Sequence, residues 1–223
     1  MKNNVIEENL PSPKHLSTEW EEIFAKLILE QCFPNHFTNL DFEKERPDLR
    51  NDSYDIGIEV TSSMGEAERT LDSTYPRDFK YGNSEEKQKA KNRIEKLGGI
   101  IKDGYLIYPT MSNDLSEIFS SIKNKLKKLN KKGFKKYKEN DLFILGTIHI
   151  QEYKYDILKQ GIETIINHFD WARIFDIIII YYLPGELLCF DTTTNTIKKI
   201  LVNNIYNLSI NARNILTKKY NQS

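Results

Sequence analysis

The sequence predicts an α/β protein in which a central mixed sheet is flanked by helices. Amphipathic helical patterns alternate along the chain with short strand-like runs, in the order helix, hairpin, helices, strand, helix, strand. One of these runs, Ile174 to Tyr182, is apolar at all but one position, as in a strand buried on both faces of a sheet. We therefore expect a single domain over residues 17–223, preceded by a flexible polar arm at residues 1–16.

Composition and charge are those of an ordinary globular protein. The 223 residues include 32 Lys and Arg and 32 Asp and Glu, so the formal net charge is zero and any attraction to nucleic acid must come from where the charges lie. The two cysteines, Cys32 and Cys189, are too far apart for a CxxC metal or redox motif. The longest apolar run, Ile177 to Leu183, is shorter than the roughly 20 residues that span a bilayer, and the N-terminus lacks a signal-peptide core. We expect a cytoplasmic protein that does not enter a membrane.

The first helix is predicted from Ser17 onward. Its first turn is acidic, with Glu21 and Glu22 among the residues that suit the positive end of a helix dipole. Pro34 ends the pattern, because the residue before a proline rarely stays helical. Apolar residues recur at helical spacing along one face: Trp20, Ile23, Phe24, Leu27 and Ile28.

A hairpin is predicted after this helix. Alternating apolar and polar residues at 40–45 predict one strand, and a polar turn at 50–53 leads into a second strand at 54–61. Successive side chains of a strand point to opposite faces. In the second strand, Ile56, Ile58 and Val60 share one face, whereas Asp55, Gly57, Glu59 and Thr61 share the other.

The rest of the chain predicts the remaining strands and helices. Residues 66–84 have no clear periodicity and are expected to form a loop with one or two helical turns. After a turn at Pro184-Gly185, a strand at 187–190 should return antiparallel to the buried strand. The other elements are helices at 85–97, 114–132 and 155–168, a short strand at 105–108, a strand at 142–150 and an edge strand at 196–202.

Asp48 and Glu59 are the residues most typical of a chemical site. Asp48 comes near the end of the first strand and Glu59 lies on the next one, so a hairpin can bring their carboxylates close together. Two neighbouring carboxylates repel each other, and a divalent cation relieves that repulsion. Oxygen ligands suit Mg²⁺, which can polarise a phosphoryl group and lower the pKa of a bound water.

These acidic residues also have structural alternatives. Asp48 could be a turn residue whose carboxylate bonds to local backbone amides, as is common after proline. Glu59 could be a solvent-facing strand residue. Asp55 shares the Glu59 face and is a rival metal ligand, although its position directly after the turn suits an Asx turn equally well.

Pro47-Asp48, followed eleven positions after Asp48 by Glu59 in Ile-Glu-Val, resembles the PD-(D/E)xK nuclease superfamily. The resemblance covers residues 17–182, because a glutamate-containing helix precedes the motif and a helix and a hydrophobic strand follow it. It implies a restriction-endonuclease-like core in which Asp48 and Glu59 bind Mg²⁺, or Mn²⁺ in its place. It also implies that a glutamate of the first helix completes the metal shell, and we assign this role to Glu21, with Glu22 as the alternative.

The motif lysine, two positions after the glutamate, does not match, because Thr61 occupies its place. In the superfamily that lysine orients the attacking water or steadies developing negative charge. A threonine hydroxyl can position a water but has no positive charge to offer. The missing charge therefore comes from a lysine on another element or from a second metal ion, or else the site is degenerate. The candidate lysines are Lys80, Lys87, Lys89, Lys91, Lys123 and Lys125.

A lysine-rich run extends from Lys123 to Lys138 and contains nine lysines. It could hold a phosphate backbone, or it could be a solvated helix face and loop. Phe134 and Tyr137 lie within this run. Their rings could stack on bases or cover an edge of the core.

Together these features predict a Mg²⁺-dependent nuclease that hydrolyses phosphodiester bonds, with DNA as its nucleic-acid partner. The resemblance implies restriction or phage defence as its setting, and a homodimer as one option, since many such enzymes cut both strands as dimers. The alternative is a non-catalytic nucleic-acid-binding or protein-interaction domain of the same fold with a degenerate site. That alternative predicts binding without Mg²⁺-dependent turnover.

Overall fold

A computed structural model of the chain describes residues 14–42, 47–80, 82–102, 105–107 and 114–221. It confirms the predicted α/β class, because a seven-stranded mixed sheet is flanked by helices. The strands are β1 (Asp41–Phe42), β2 (Leu49–Asn51), β3 (Ile56–Ser62), β4 (Ile100–Lys102), β5 (Tyr105–Ile107), β6 (Glu139–His149), β7 (Ile177–Leu183), β8 (Glu186–Asp191) and β9 (Thr196–Leu201). The helices are α1 (Lys14–Cys32), α2 (Glu66–Thr74), α3 (Ser84–Lys96), α4 (Ser116–Leu129), α5 (Tyr155–His168) and α6 (Ile205–Asn221).

The large sheet has the strand order β1-β2-β3-β6-β7-β8-β9. At its centre β3, β6 and β7 run parallel to one another. The outer strands β1, β2, β8 and β9 are antiparallel to their neighbours. Parallel neighbours need a crossover connection, and the segment between β3 and β6 contains α2, α3, the small β4-β5 sheet and α4.

Helices cover both faces of the large sheet. On one face, Ile28 of α1 and Leu216 of α6 share a buried cluster with Ile58 of β3. On the other face, Leu126 of α4 packs in a second buried cluster with Ile144 of β6 and with residues of α5. Burial on both faces explains why the central strands are apolar at nearly every position. Among the described residues, no helix combines the length and the apolar character needed to cross a bilayer.

The second strand of the predicted hairpin is observed as β3, but its antiparallel partner is β2 and not the strand predicted at 40–45, whose observed part, β1, pairs with β2 instead. The turn of the hairpin is also displaced along the chain. Arg50 and Asn51 belong to β2, and the chain reverses over residues 52–55. The side-chain oxygen of Asn51 accepts hydrogen bonds from the backbone amides of Ser53 and Tyr54. Asparagine commonly stabilises turns in this way. The polar residues therefore indicated a turn correctly, but the turn itself begins two residues later than predicted.

The observed start of the first helix and the observed length of the first strand differ from the predictions. Helix α1 begins at Lys14, so it includes the last residues assigned to the polar arm, and residues 1–13 lie outside the described residues. The strand predicted at 40–45 is observed only as the two residues of β1. Residues 43–46 also lie outside the described part of the chain.

The C-terminal helix α6 was not predicted from the sequence. Leu208, Ala212 and Leu216 recur every four residues and are buried against the cluster that includes α1. Lys219 Nζ adds an exposed ion pair with Glu19 Oε2 at 2.8 Å. The apolar stripe was therefore present, but it is only one residue wide and is surrounded by asparagine and lysine residues that weaken the helical pattern.

The segment predicted as a loop at 66–84 is mostly helical. Helix α2 continues directly into a π-helical segment, Tyr75–Lys80, before α3 begins. Leu71 of α2 is completely buried, and an added Cβ on Gly99 would lie 2.9 Å from its side chain. Tertiary packing of this kind can override a weak local pattern.

Candidate active site

The carboxylates of Asp48 and Glu59 meet at the ammonium group of Lys125. Lys125 Nζ lies 2.5 Å from Glu59 Oε2 and 3.5 Å from Asp48 Oδ2. These two carboxylate oxygens can therefore be no further apart than the sum of the two distances. The segment before β2, strand β3 and helix α4 each contribute one of the three side chains, which we call the lysine-carboxylate cluster.

Backbone contacts hold Asp48 against β3. Asp48 Oδ2 accepts a 2.7 Å hydrogen bond from the backbone amide of Val60, which belongs to the neighbouring strand and not to a local turn. Gly57 makes the close approach possible: a Cβ at this position would lie 2.5 Å from Tyr137 Cδ2 and 2.7 Å from Pro47 Cγ. Without a side chain at Gly57, the proline ring can rest on β3 and direct the next residue toward Glu59.

Lys125 occupies a position on the buried stripe of α4. It follows Ile118 by seven residues and Ile122 by three, and all three residues are buried. Its ammonium group also donates a 2.7 Å hydrogen bond to the main-chain carbonyl of Val60. A solvated helix face, one of the two interpretations of the lysine-rich run, therefore does not describe Lys125.

Glu59 is buried and only partly hydrogen-bonded. The residue is 1% exposed. Burial raises the pKa of Glu59, and the positive charge of Lys125 opposes that rise. Lys125 binds Glu59 Oε2, while Oε1 is buried and has no hydrogen-bond partner within the described residues. A buried carboxylate oxygen without a donor is costly, so Glu59 presents an acceptor that is suited to a further ligand.

Glu22 on α1 is the helix glutamate whose ionisation depends on this cluster. Burial raises the pKa of Glu22 to about 7, and the negative charges of Asp48 and Glu19 add to the shift. The positive charge of Lys125 acts in the opposite direction. A group with this pKa can gain or lose a proton near neutral pH, which is typical of carboxyl groups at functional sites.

Replacing Glu22 by glutamine should make the protein more stable than wild type at high pH. The carboxyl has an ordinary pKa of 4.5 in the unfolded chain and a pKa of about 7 in the folded protein. Between these values the folded state holds a proton that the unfolded state has released, so wild-type stability falls as pH rises across this range. We expect equal free energies of unfolding near pH 4 and an advantage of about 2 kcal/mol for Glu22→Gln at pH 8, less than the full linkage value because the side chain is partly solvated.

Urea unfolding of both proteins across this pH series measures the difference. Glu95→Gln on the exposed side of α3 is the matched control, and its difference from wild type should stay smaller. A Glu22→Gln effect that is the same at every pH would show that Glu22 ionises normally in the folded protein.

The other predicted site residues have different placements. Thr61 lies two residues beyond Glu59 on the same face of β3 and is half-buried, and its role in positioning water stays a prediction. Glu21 lies in α1 beside Glu22, and its role as an outer ligand also stays a prediction. Among the candidate lysines on α3, Lys89 and Lys91 are exposed and form ion pairs within their own helix. Lys123 lies 4.7 Å from the ring centroid of Phe169.

The lysine-rich run divides into buried and exposed parts. Lys125 is turned into the cluster, whereas most lysines that follow it are exposed. Phe134 and Tyr137 are 8% and 7% exposed, so their rings cover an edge of the core and are not available for stacking on bases. The exposed lysines begin on the same helix that delivers Lys125, and they lie at 127, 131, 132, 135, 136 and 138.

The sequence predicted two residues of the lysine-carboxylate cluster but did not single out the third. The spacing of Asp48 and Glu59 predicted that these two residues form the site, whereas Lys125 was only one of six candidate lysines. The discriminating signal was the helical register of Lys125 with Ile118 and Ile122, since a lysine on an apolar stripe must find a buried partner. Comparisons of the chain with protein-family models, curated proteins and solved structures find no match.

Proposed function

We propose that this protein is a metal-dependent nuclease with a restriction-endonuclease-like core, which hydrolyses phosphodiester bonds in DNA. The observation that carries the proposal is the meeting of Asp48, Glu59 and Lys125 in one cluster. Two carboxylates and a lysine are the groups that the resemblance to PD-(D/E)xK nucleases implies. The lysine comes from α4 and so takes the place of the charge that is missing at Thr61.

The residues of the cluster fit a hard divalent cation, Mg²⁺ or Mn²⁺. Glu59 Oε1 is a buried carboxylate oxygen without a hydrogen-bond donor in the described part of the chain. Asp48 is partly exposed, with 24% of its side chain accessible, so a ligand can approach from solvent. Asp48 and Glu59 would hold the ion, and the Glu22 carboxyl could join them when ionised. A cation bound there would polarise a phosphate and lower the pKa of a coordinated water.

The protein groups have separate tasks in this proposal. Asp48 is fixed by the amide of Val60, so its remaining oxygen is held in one direction. Lys125 supplies a positive charge beside the carboxylates, where it can stabilise negative charge that develops on the phosphate in the transition state. Burial strengthens this charge interaction because little water screens it. Thr61 would orient a water at the same face of β3.

The exposed lysines after Lys125 favour a polyanionic partner. They continue from α4 into the following loop, so they can bind successive phosphates while the cluster acts on one of them. Affinity that depends on these lysines should fall steeply as salt rises. Restriction or phage defence is the setting that we propose for a stand-alone nuclease of this kind, on the strength of the resemblance alone.

A second candidate function is a binding domain without catalysis. It is favoured by one observation: the Lys125 ammonium group lies 2.5 Å from Glu59 Oε2 and can neutralise this carboxylate within the protein itself. A permanent internal ion pair would leave little negative charge for a cation. In that case the lysine-rich surface would bind nucleic acid or an acidic protein, and the cluster would only stabilise the fold.

A cleavage assay separates the two functions. Purified protein is incubated with closed circular DNA, linear duplex DNA and single-stranded RNA, in Mg²⁺, in Mn²⁺ and in a chelator, and binding is measured in parallel. We expect cleavage of DNA with either metal and none with the chelator. Binding of nucleic acid without turnover in either metal would contradict the nuclease proposal and support the binding domain.

A further inference from the structure

A second group of metal-ligating side chains lies on the opposite face of the sheet from Glu59. Glu139 and Asp141 are alternate residues at the start of β6, and Asp141 pairs with Ile58 of β3, whose side chain faces α1. His36 comes from the turn that follows α1. Two parts of the chain with no chemical role in the proposed nuclease site are thereby joined in one cluster.

The geometry of this cluster suits a single ion. One ligand atom from each of His36, Glu139 and Asp141 lies within 4.8 Å of the other two. His36 Nε2 and Glu139 Oε1 are 2.7 Å apart. Zinc bonds of about 2.0–2.2 Å in a tetrahedral site place ligand atoms roughly 3.4 Å apart, so only small side-chain shifts are needed. The side chains of His36 and Glu139 are 39% and 24% exposed, which leaves an entry path from solvent.

Asp141 gives an independent indication of a ligand. The residue is completely buried. Its Oδ1 accepts a 3.0 Å hydrogen bond from the backbone amide of Ile177, but Oδ2 is buried with no partner among the residues that the structure describes. A buried carboxylate that faces a second carboxylate needs either a proton or a cation.

We propose that His36, Glu139 and Asp141 bind one divalent transition-metal ion of the Zn²⁺ type. The mixed ligand set distinguishes this site from the oxygen-only cluster at Asp48, because an imidazole nitrogen favours zinc and related ions over Mg²⁺. Two carboxylates and a neutral imidazole balance the ion's charge, and a water can complete a tetrahedron. The ion would tie the end of α1 to the start of β6, so its role is to stabilise the fold.

The test uses full-length protein without an affinity tag, stripped with a chelator and desalted. The Asp48→Asn background reduces binding at the other cluster. Zn²⁺ is titrated by calorimetry, thermal unfolding is followed with and without Zn²⁺, and Co²⁺ is used as a visible-absorption probe of nitrogen and oxygen ligation. In Asp48→Asn we expect one Zn²⁺ per chain and a higher Tm with Zn²⁺, and wild type should show the same increase in Tm.

Two variants and one control locate the site. His36→Gln changes a partly exposed side chain, and Asp141→Asn keeps an acceptor for the amide of Ile177, so both should fold. Each should weaken Zn²⁺ binding at least about tenfold and remove the Tm increase. His149→Gln, at the exposed far end of β6, should behave like the parent protein. Absence of Zn²⁺ binding to the parent, or equal binding by all variants, would overturn the proposal.

Discussion

Asp48→Asn is expected to slow Mg²⁺-dependent DNA cleavage by about 10³-fold or more. The substitution removes the charge that would hold the cation but preserves the shape of the side chain. Loss of a metal contact of this kind costs several kcal/mol of transition-state stabilisation, and each 1.4 kcal/mol is about tenfold in rate. Because an asparagine oxygen can still accept the amide hydrogen bond from Val60, the fold should be retained.

The control for Asp48→Asn is a variant that loses one negative charge outside the lysine-carboxylate cluster. Asp52→Asn serves this purpose, since Asp52 lies in the turn between β2 and β3 with 61% of its side chain exposed. Initial cleavage rates at saturating Mg²⁺ are measured for wild type and both variants, together with their Tm values. If Asp48→Asn cleaves as fast as Asp52→Asn, Asp48 has no part in the reaction.

Lys125→Met is expected to lower the free energy of unfolding by about 3–5 kcal/mol. Removing the ammonium group leaves the Glu59 carboxylate buried without its counter-charge, and removal of one partner of a buried pair is far more costly than removal of both. The lost hydrogen bond to the carbonyl of Val60 adds about 1 kcal/mol. Lys127→Met, two residues along on the exposed side of α4, should change stability by less than about 0.5 kcal/mol.

The double variant Glu59→Gln/Lys125→Met shows whether Lys125→Met destabilises the protein by leaving a buried charge unpaired or by removing packing contacts. We expect it to be more stable than Lys125→Met alone, because no unpaired charge remains in the interior. Urea unfolding of wild type, both single variants and the double variant gives the coupling energy between the two side chains. Costs that simply add would mean that the ion pair contributes little and that Lys125 acts through its packing on α4.

Prediction of the fold from the sequence succeeded where the pattern was wide and regular. Helix α5 begins and ends at the predicted residues, Tyr155 and His168, and the strand faces of β3 alternate as predicted. The predictions failed where a narrow apolar stripe lies among polar residues, as in α6, or where a capping side chain precedes its turn, as at Asn51. In these places the structure depends on contacts with distant parts of the chain, and local periodicity does not record them.

In the candidate site, too, local patterns were predicted from the sequence and long-range contacts were not. Two-residue alternation and a short connection were enough to predict that Asp48 and Glu59 come close together. The strand that pairs with β3 is β2, which follows Asp48, and not the predicted strand that precedes it. Which lysine joins them depends on how α4 packs on β3, and nine lysines in one run offer many similar choices. The choice between Glu21 and Glu22 depends on the rotation of α1 about its axis, since adjacent helical residues differ by about 100°.

The contact between Glu59 and Lys125 joins residues that are 66 positions apart in the chain. We expect the hairpin that carries Glu59 to form before α4 reaches it during folding, because closing such a long connection is slow compared with forming a local hairpin. Until α4 docks, the two acids lack a compensating charge and tend to separate. Assembly of the lysine-carboxylate cluster is thus tied to completion of the parallel sheet, so a partly synthesised or partly opened chain would lack this cluster.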